Sequence, residues 1–191
     1  MGEVMPEIVA PEHWTKGGAV RHARKLLGKY LVRSAGGRCE ARLITEVEAY
    51  DGECDLACHA ARGRTPRNEV MYGDAGHWYV YLCYGMHEML NLVVGPRDWP
   101  AAVLIRGVEG ISGPGRLTRA LAINRQLNGK PAGPASGLHI EDRGLRVPPR
   151  LVQATPRIGV AYAGAHWAAK RWRFMFDPAA LPPRQRARLI H

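Results

Sequence analysis

The chain is short of cysteine and of long apolar runs, and each shortage excludes something. Four cysteines in 191 residues (Cys39, Cys54, Cys58, Cys83) are too few for a disulfide-built scaffold, and a reducing, intracellular setting is the expectation. No stretch approaches the roughly 20 apolar residues of a membrane span, so no membrane partner is expected. The opening MGEVMPEIVAPEHW carries acids and no apolar run, and is not expected to act as a signal peptide. There is no repeat, low-complexity tract or clear linker, which predicts one domain over residues 1–191, with about eight N-terminal and about fourteen C-terminal residues loosely ordered. The phosphate-cradling G-x-x-x-x-G-K-[ST] loop, the dinucleotide fingerprint and the G-x-S-x-G elbow are all missing. Lysine is scarce too, occurring only at Lys16, Lys25, Lys29, Lys130 and Lys170.

What the chain has in excess is positive charge. The formal net charge is +10 and the isoelectric point about 9.9, the electrostatic footprint of a polyanion partner. Arginine far outnumbers lysine, which suits planar, two-pronged contact with phosphate. The plainer reading is a basic protein kept soluble by its charge. Apolar residues make up 46% and charged residues 23%, a globular balance.

Patterning predicts a short amphipathic helix over 16–27 with Val20, Ala23, Leu26 and Leu27 inward and Gly28 as its stop. KYLVRS, AGG and RCEARLITEVEAY read as a hairpin. WYVYLCYG, MLNLVVG and AAVLIRGVEG read as three further strands, GRLTRALAIN (115–124) as a second helix, and GLHIED, RIGVAYAG and WRFMFD as late strands. Residues 125–137 and 144–156 read as surface loops. Strands crowd together and helices do not alternate with them. The expected fold class is therefore α+β: a single domain with a mostly antiparallel, curved sheet and short helices packed around it.

Chemistry concentrates in EVEAYDGECDLACHAARGRTPRN, residues 46–68. On a strand, Glu46, Glu48 and Tyr50 share a face with Ile44, while Leu43, Thr45 and Val47 form a core face. A carboxylate against an aromatic wall has its pKa raised and can serve as base or acid near neutrality; alternatively both glutamates are solvated on an outer face. A metal site would have to use Cys54, Cys58, His59 and Cys83, but the second ligand pair of a structural zinc site is missing, as is the H-x-E…P-C-x-x-C pattern of zinc deaminases. Cysteines packed as small hydrophobes fit better, and no metal is expected. In HWYVYLCYGMHEMLN (77–91), Tyr79 and Tyr81 share one strand face and Tyr84 takes the other, before Gly85. These are stacking plates for a base, or simply an aromatic-rich strand.

Taken together, the two clusters resemble the alkyladenine (3-methyladenine) DNA glycosylase family. The resemblance rests on EVEAY (46–50), D-x-A-C-H (55–59), RGRTPRN (62–68), VMYG (70–73), GHWYVYLCYGMH (76–87), Asn91, AAVLIRGVE (101–109), GPGRLTRALAI (113–123), RIGV (157–160) and WRF (172–174). It runs in order from about residue 9 to 177. Cys58 departs from the usual Ser and Tyr72 from the usual Phe.

The resemblance implies excision of alkylated or deaminated purines from double-stranded DNA by a monomeric enzyme without cofactor. It makes Glu48 the base that activates water, and Arg106 a contact near that water and the flipped nucleotide's phosphate. Tyr50, His59 and Tyr81 become walls of a flipped-base pocket. Asn91 screens bases by clashing with a guanine amino group or by donating a hydrogen bond. Tyr84 becomes the wedge left in the duplex. Arg62, Arg64 and Arg67 are candidate contacts to the DNA backbone. No lysine falls in the stretch with this site, so a Schiff-base lyase step has no amine and simple hydrolysis is expected. The competing expectations are a zinc-dependent nucleobase deaminase on Cys54, Cys58 and Cys83, and a non-catalytic basic nucleic-acid-binding module.

Overall fold

A computed structural model describes residues 5–186. Its backbone is a ten-stranded antiparallel sheet with short helices against it. The strands are β1 (Glu7–Ile8), β2 (Tyr30–Ala35), β3 (Arg38–Asp51), β4 (Trp78–Cys83), β5 (His87–Val93), β6 (Ala101–Val108), β7 (Ile111–Ser112), β8 (Leu138–Asp142), β9 (Gln153–Thr155) and β10 (Arg173–Met175). The main path runs β1-β8-β2-β3-β6-β5-β4, with β10 pairing both β3 and β9 and β7 pairing β6.

The 14-residue β3 organises the sheet. Its first half, through Leu43, pairs with β2; from Ile44 onward it pairs with β6 on one side, and Glu46–Glu48 pair with β10 on the other. Changing partners midway bends the sheet and puts residues 46–50 where strands from distant parts of the chain converge. Ile44 is wholly buried in the main apolar core with Leu43 and Val47. The expected face shared by Ile44, Glu46 and Glu48 is thus broken, because pairing with β6 slips on both sides of Glu46.

Helix α1 (Ala19–Leu26) lies within the expected span and buries Ala19, His22, Ala23 and Leu26. Gly28 follows at φ +83, a conformation that stops the helix at little cost to glycine. Asp51, at the end of β3, accepts the Ala19 N–H at 3.1 Å and ties the helix start to the sheet. Helix α2 (Pro114–Ala120) is shorter than expected: the chain leaves it through Ala122 at φ +49, which cannot continue a right-handed helix.

The strand expected over RIGVAYAG does not form. Pro156 precedes it, Gly159 and Gly164 adopt φ of +75 and +79, and a single 3₁₀ turn covers Ala161–Ala163, followed by the short helix α3 (Gly164–Ala168). Conversely, β9 lies inside a stretch read as loop. Of the ends expected to be loosely ordered, Glu7–Ile8 pairs with β8 and Pro183–Arg186 forms the short helix α4, while residues 1–4 and 187–191 lie outside the described residues. Among the described residues no helix is long and apolar enough to cross a membrane.

Candidate active site

Glu48 is the centre of the site. It has no solvent exposure, and both oxygens are engaged. Tyr50 Oη donates to Oε2 at 2.8 Å, the backbone N–H of Ile158 donates to Oε1 at 2.8 Å, and Arg106 Nη1 stands 3.5 Å from Oε2. Burial pushes the Glu48 carboxyl above its ordinary pKa; Arg106, the Ile158 N–H, the Tyr50 hydroxyl and Arg173 pull it back. Desolvation outweighs these partners, so the Glu48 carboxyl holds a proton more readily than a surface one does.

Glu46 lies two residues away and accepts from Arg106 Nε at 3.0 Å and Arg173 Nε at 2.6 Å. It is buried and ion-paired, so the solvated outer-face reading of the two glutamates fails.

The aromatic wall stands beside this carboxylate. Tyr50, His59, Tyr79, Tyr81 and Asn91, with Tyr162, line a cavity of about 40 Å³. That is water-sized rather than purine-sized. His59 Nδ1 and Tyr79 Oη are 2.8 Å apart, and the His59 ring meets Tyr81 edge-on at 4.5 Å between centroids. Burial, assisted by the Arg67 charge, lowers the His59 pKa to about 4, so the imidazole is neutral at pH 7. Burial pushes the hydroxyls of Tyr50, Tyr79 and Tyr81 up. The lining is thus polar at its edges but carries no charge. The Asn91 amide nitrogen donates to the backbone oxygens of Tyr79 and Met89 at 3.1 and 3.3 Å. Both of its amide hydrogens are thus engaged by β4 and β5; of the two roles expected from the sequence, a clash with a guanine amino group or donation to a base, this arrangement leaves its side-chain oxygen for the cavity and favours the first. Larger hollows, about 400 Å³ beside Trp14 and about 530 Å³ beside Glu46, have no such convergence of carboxylate and rings, so size alone does not locate the site.

Behind the wall is an ion pair in which neither side chain has any exposure. Arg157 donates to both oxygens of Asp55 at 2.5 and 2.8 Å and to the Ala49 carbonyl at 2.8 Å, and its guanidinium lies 4.8 Å from the centre of the Tyr50 ring. Arg157 therefore fixes the neighbouring Ile158 N–H that holds Glu48.

Tyr84 stands apart from the pocket. It is 85% exposed at the β4–β5 turn, with φ +51 followed by Gly85 at +70. A bulky side chain at positive φ is strained, and strain of this kind gathers at functional positions. The three loop arginines differ. Arg62 is exposed. Arg64 is held by Glu69 at 2.6 and 2.8 Å and by Asp98 at 3.2 Å. Arg67 lies 5.5 Å from the Tyr81 ring centre at the pocket's edge. Among the described residues no group of three His, Cys, Asp or Glu could hold a metal ion. Cys58 is packed with Ala60 and Met71, its thiol pushed up to about 12, which leaves the deaminase reading without a ligand set.

The model of one protein family, "Methylpurine-DNA glycosylase (MPG)", matches residues 13–112 and 109–179, covering every residue of this cluster. The chain belongs to the methylpurine-DNA glycosylase family. A Myxococcus xanthus protein named "Putative 3-methyladenine DNA glycosylase" is 46% identical over 172 residues, covering 85% of this chain and 87% of that protein. Proteins of the same name from Methanocella arvoryzae and Psychrobacter cryohalolentis are 46% and 43% identical over 80% and 89% of this chain and 84% and 91% of their own lengths.

Within the family match, Asp55, Arg157, Arg173 and the Ile158 N–H were given no role from the sequence, although the motifs holding them were recognised. Tyr79 is legible in the sequence as a stacking plate but not as a pocket wall, and Tyr162 only as part of a strand. One signal for Arg157 was present: an arginine opening an apolar run implies a buried carboxylate partner.

Proposed function

We propose that this methylpurine-DNA glycosylase family member removes a damaged purine from double-stranded DNA by hydrolysing its N-glycosidic bond, leaving an abasic site and the strand intact. The observation that carries this reading is the wholly buried Glu48 hydrogen-bonded to Tyr50, itself a wall of the aromatic pocket. The purine, turned out of the stack, enters between Tyr50, His59 and Tyr81. This requires the 40 Å³ cavity to widen, and the opening that admits the base also admits a water to Glu48. Water attacks C1′ as the bond to the purine nitrogen breaks. Glu48 takes the water's proton, and its charge opposes the positive charge that builds on the sugar. Arg106 stands at the rim of the carboxylate, able to contact the phosphate beside the flipped nucleotide. Among the described residues no lysine binds Glu48 or lines the cavity, which supports hydrolysis without strand cleavage.

The test is release of free base from duplexes that each carry one lesion, followed by alkali or no treatment. Free base should appear, and strand breaks only after alkali. Breaks without alkali would overturn the hydrolytic mechanism; no base released from any of 3-methyladenine, 7-methylguanine, hypoxanthine or ethenoadenine would overturn the function.

In this reading Tyr84 fills the gap that the purine leaves. Tyr84→Ala should return the lesion towards the stacked duplex. Stacking on an aromatic is worth roughly 1–3 kcal/mol, so excision should fall about 5- to 150-fold where flipping limits the rate, most for well-paired lesions. A fluorescent base analogue followed in stopped flow reads the flipped fraction directly. An unchanged fraction in a folded variant would reduce Tyr84 to an ordinary turn residue.

A further inference from the structure

The approach of Arg106 to Glu48 depends on a slip in the sheet. Between β3 and β6 the pairing runs Ile44 to Val108, Glu46 to Gly107, then Val47 to Ile105. Thr45 is the extra residue on one strand and Arg106 the extra residue on the other. The two slips cancel, and pairing is regular from Val47 to Asp51. Such bulges re-aim side chains and concentrate next to active sites. Within the slipped window Glu46 faces Gly107, where a Cβ would stand 3.2 Å from the Glu46 Cβ and 3.3 Å from its Oε2. The glycine leaves the space that Glu46 occupies.

Glu46 uses that space to accept two Nε–H groups on one oxygen, from Arg106 on β6 and Arg173 on β10. Arg173 is the register partner of Glu48 and also donates from Nη1 to Thr155 Oγ1 at 3.3 Å. An arginine held by its Nε–H has its guanidinium plane fixed, and the outer nitrogens are aimed as a consequence. For Arg106 that aim is towards Glu48.

We propose that Glu46 is a positioning residue of the glycosylase reaction: by gripping Arg106 and Arg173 through one carboxylate oxygen, it fixes the two cations beside Glu48 and sets the charge against which Glu48 works. This rests on the reading of Glu48 as general base. The groups around Glu48 are Tyr50 from β3, Arg106 from β6, Arg173 from β10, Tyr81 from β4, and Arg157 with its partner Asp55; Glu46 meets it through the shared Arg106. Glu46 and Glu48 balance Arg106 and Arg173. Removing the charge of Glu46 leaves a net positive environment, which favours ionised Glu48. Its function as base then persists to lower pH.

The experiment is single-turnover excision against pH for the wild type, Glu46→Gln, Glu46→Asp and Glu48→Gln, with thermal unfolding of each. Glu46→Gln keeps the volume and an acceptor oxygen, and the acid limb should move about one pH unit downward. Glu46→Asp keeps the charge but withdraws the oxygen by a methylene. Its limb should stay while the plateau falls on the order of 10²-fold, the cost of a catalytic group displaced by about 1 Å. If both profiles superimpose on the wild type in folded protein, Glu46 only fills space and the proposal is overturned. If Glu46→Gln does not fold, the Glu46→Asp plateau decides. Full excision by Glu48→Gln would instead overturn the general-base reading, whatever the Glu46 variants do.

Discussion

Replacing Glu48 with Gln should abolish excision while leaving lesion binding in place. Loss of a general base costs on the order of 10²–10⁴-fold in rate, and Gln fills the same volume between Tyr50, Ile158 and Arg106. The pH behaviour follows from the direction of the shift. Burial raises the Glu48 pKa, so its ionisation is displaced to higher pH than that of a surface carboxyl, and wild-type excision should rise with pH through that raised value. The same shift bears on stability. A carboxyl whose pKa is raised by folding favours the folded state below its unfolded pKa, and that contribution is lost as pH rises through the folded value. Gln has no proton to lose and carries no such loss. The expected pairing is a dead enzyme with a melting temperature no lower than the wild type's. Single-turnover kinetics within a few-fold of wild type would remove Glu48 from the mechanism.

Asp55→Ala should be the most destabilising single change near the site. It strands the Arg157 guanidinium in a place with no solvent exposure, where its remaining acceptors among the described residues are the Ala49 carbonyl at 2.8 Å and the Trp167 carbonyl at 3.5 Å. Breaking a buried pair from one side costs about 3–5 kcal/mol. In a domain of this size that lowers the melting temperature on the order of 10 °C. Excision should fall as well, because Arg157 rests against the Tyr50 ring and precedes the residue whose N–H holds Glu48. The double change Asp55→Leu with Arg157→Met should recover much of the melting temperature, since an apolar pair needs no charge compensation. It should recover less of the activity. Calorimetry of both variants checks the first statement and base release the second; a melting temperature unchanged in Asp55→Ala would mean that Arg157 finds other partners.

The strands were the most legible part of the sequence, for a physical reason. β4, β5 and β6 carry mostly apolar and aromatic runs near glycine or proline, and those features are local. The slips around Glu46 were not legible, because a bulge is defined by the partner strand and nothing in EVEAY says that Arg106 will be the extra residue opposite. RIGVAYAG misled because its composition fits a strand, while its two left-handed glycines are visible only as backbone angles. Glu48, Tyr50 and His59 fall in one short segment and Tyr81 and Asn91 in another, but their residue types alone left plainer readings open; the family resemblance singled them out, and the structure brings them together. Asp55 and Arg157 lie 102 residues apart, and the Ile158 N–H has no side-chain signature at all, so a backbone donor could not have been read from residue types.

The spread of the Glu48 partners along the chain also bears on biosynthesis. Tyr50 emerges from the ribosome with Glu48, and Arg106 follows with β6. The Ile158 N–H lies 110 residues beyond Glu48, and Arg173 comes later still, in the strand that pairs with β3. A nascent chain halted before residue 157 holds a carboxylate destined for burial and two cations short of balance, with β3 open along the edge that β10 will cover. Pairings across such separations form slowly, since loop closure must precede the contacts that reward it. The carboxylate therefore acquires its surroundings last, after the aromatic segments are already in hand. Under the proposed function, nascent and prematurely terminated chains would carry most of the positive charge while lacking the assembled surroundings of Glu48.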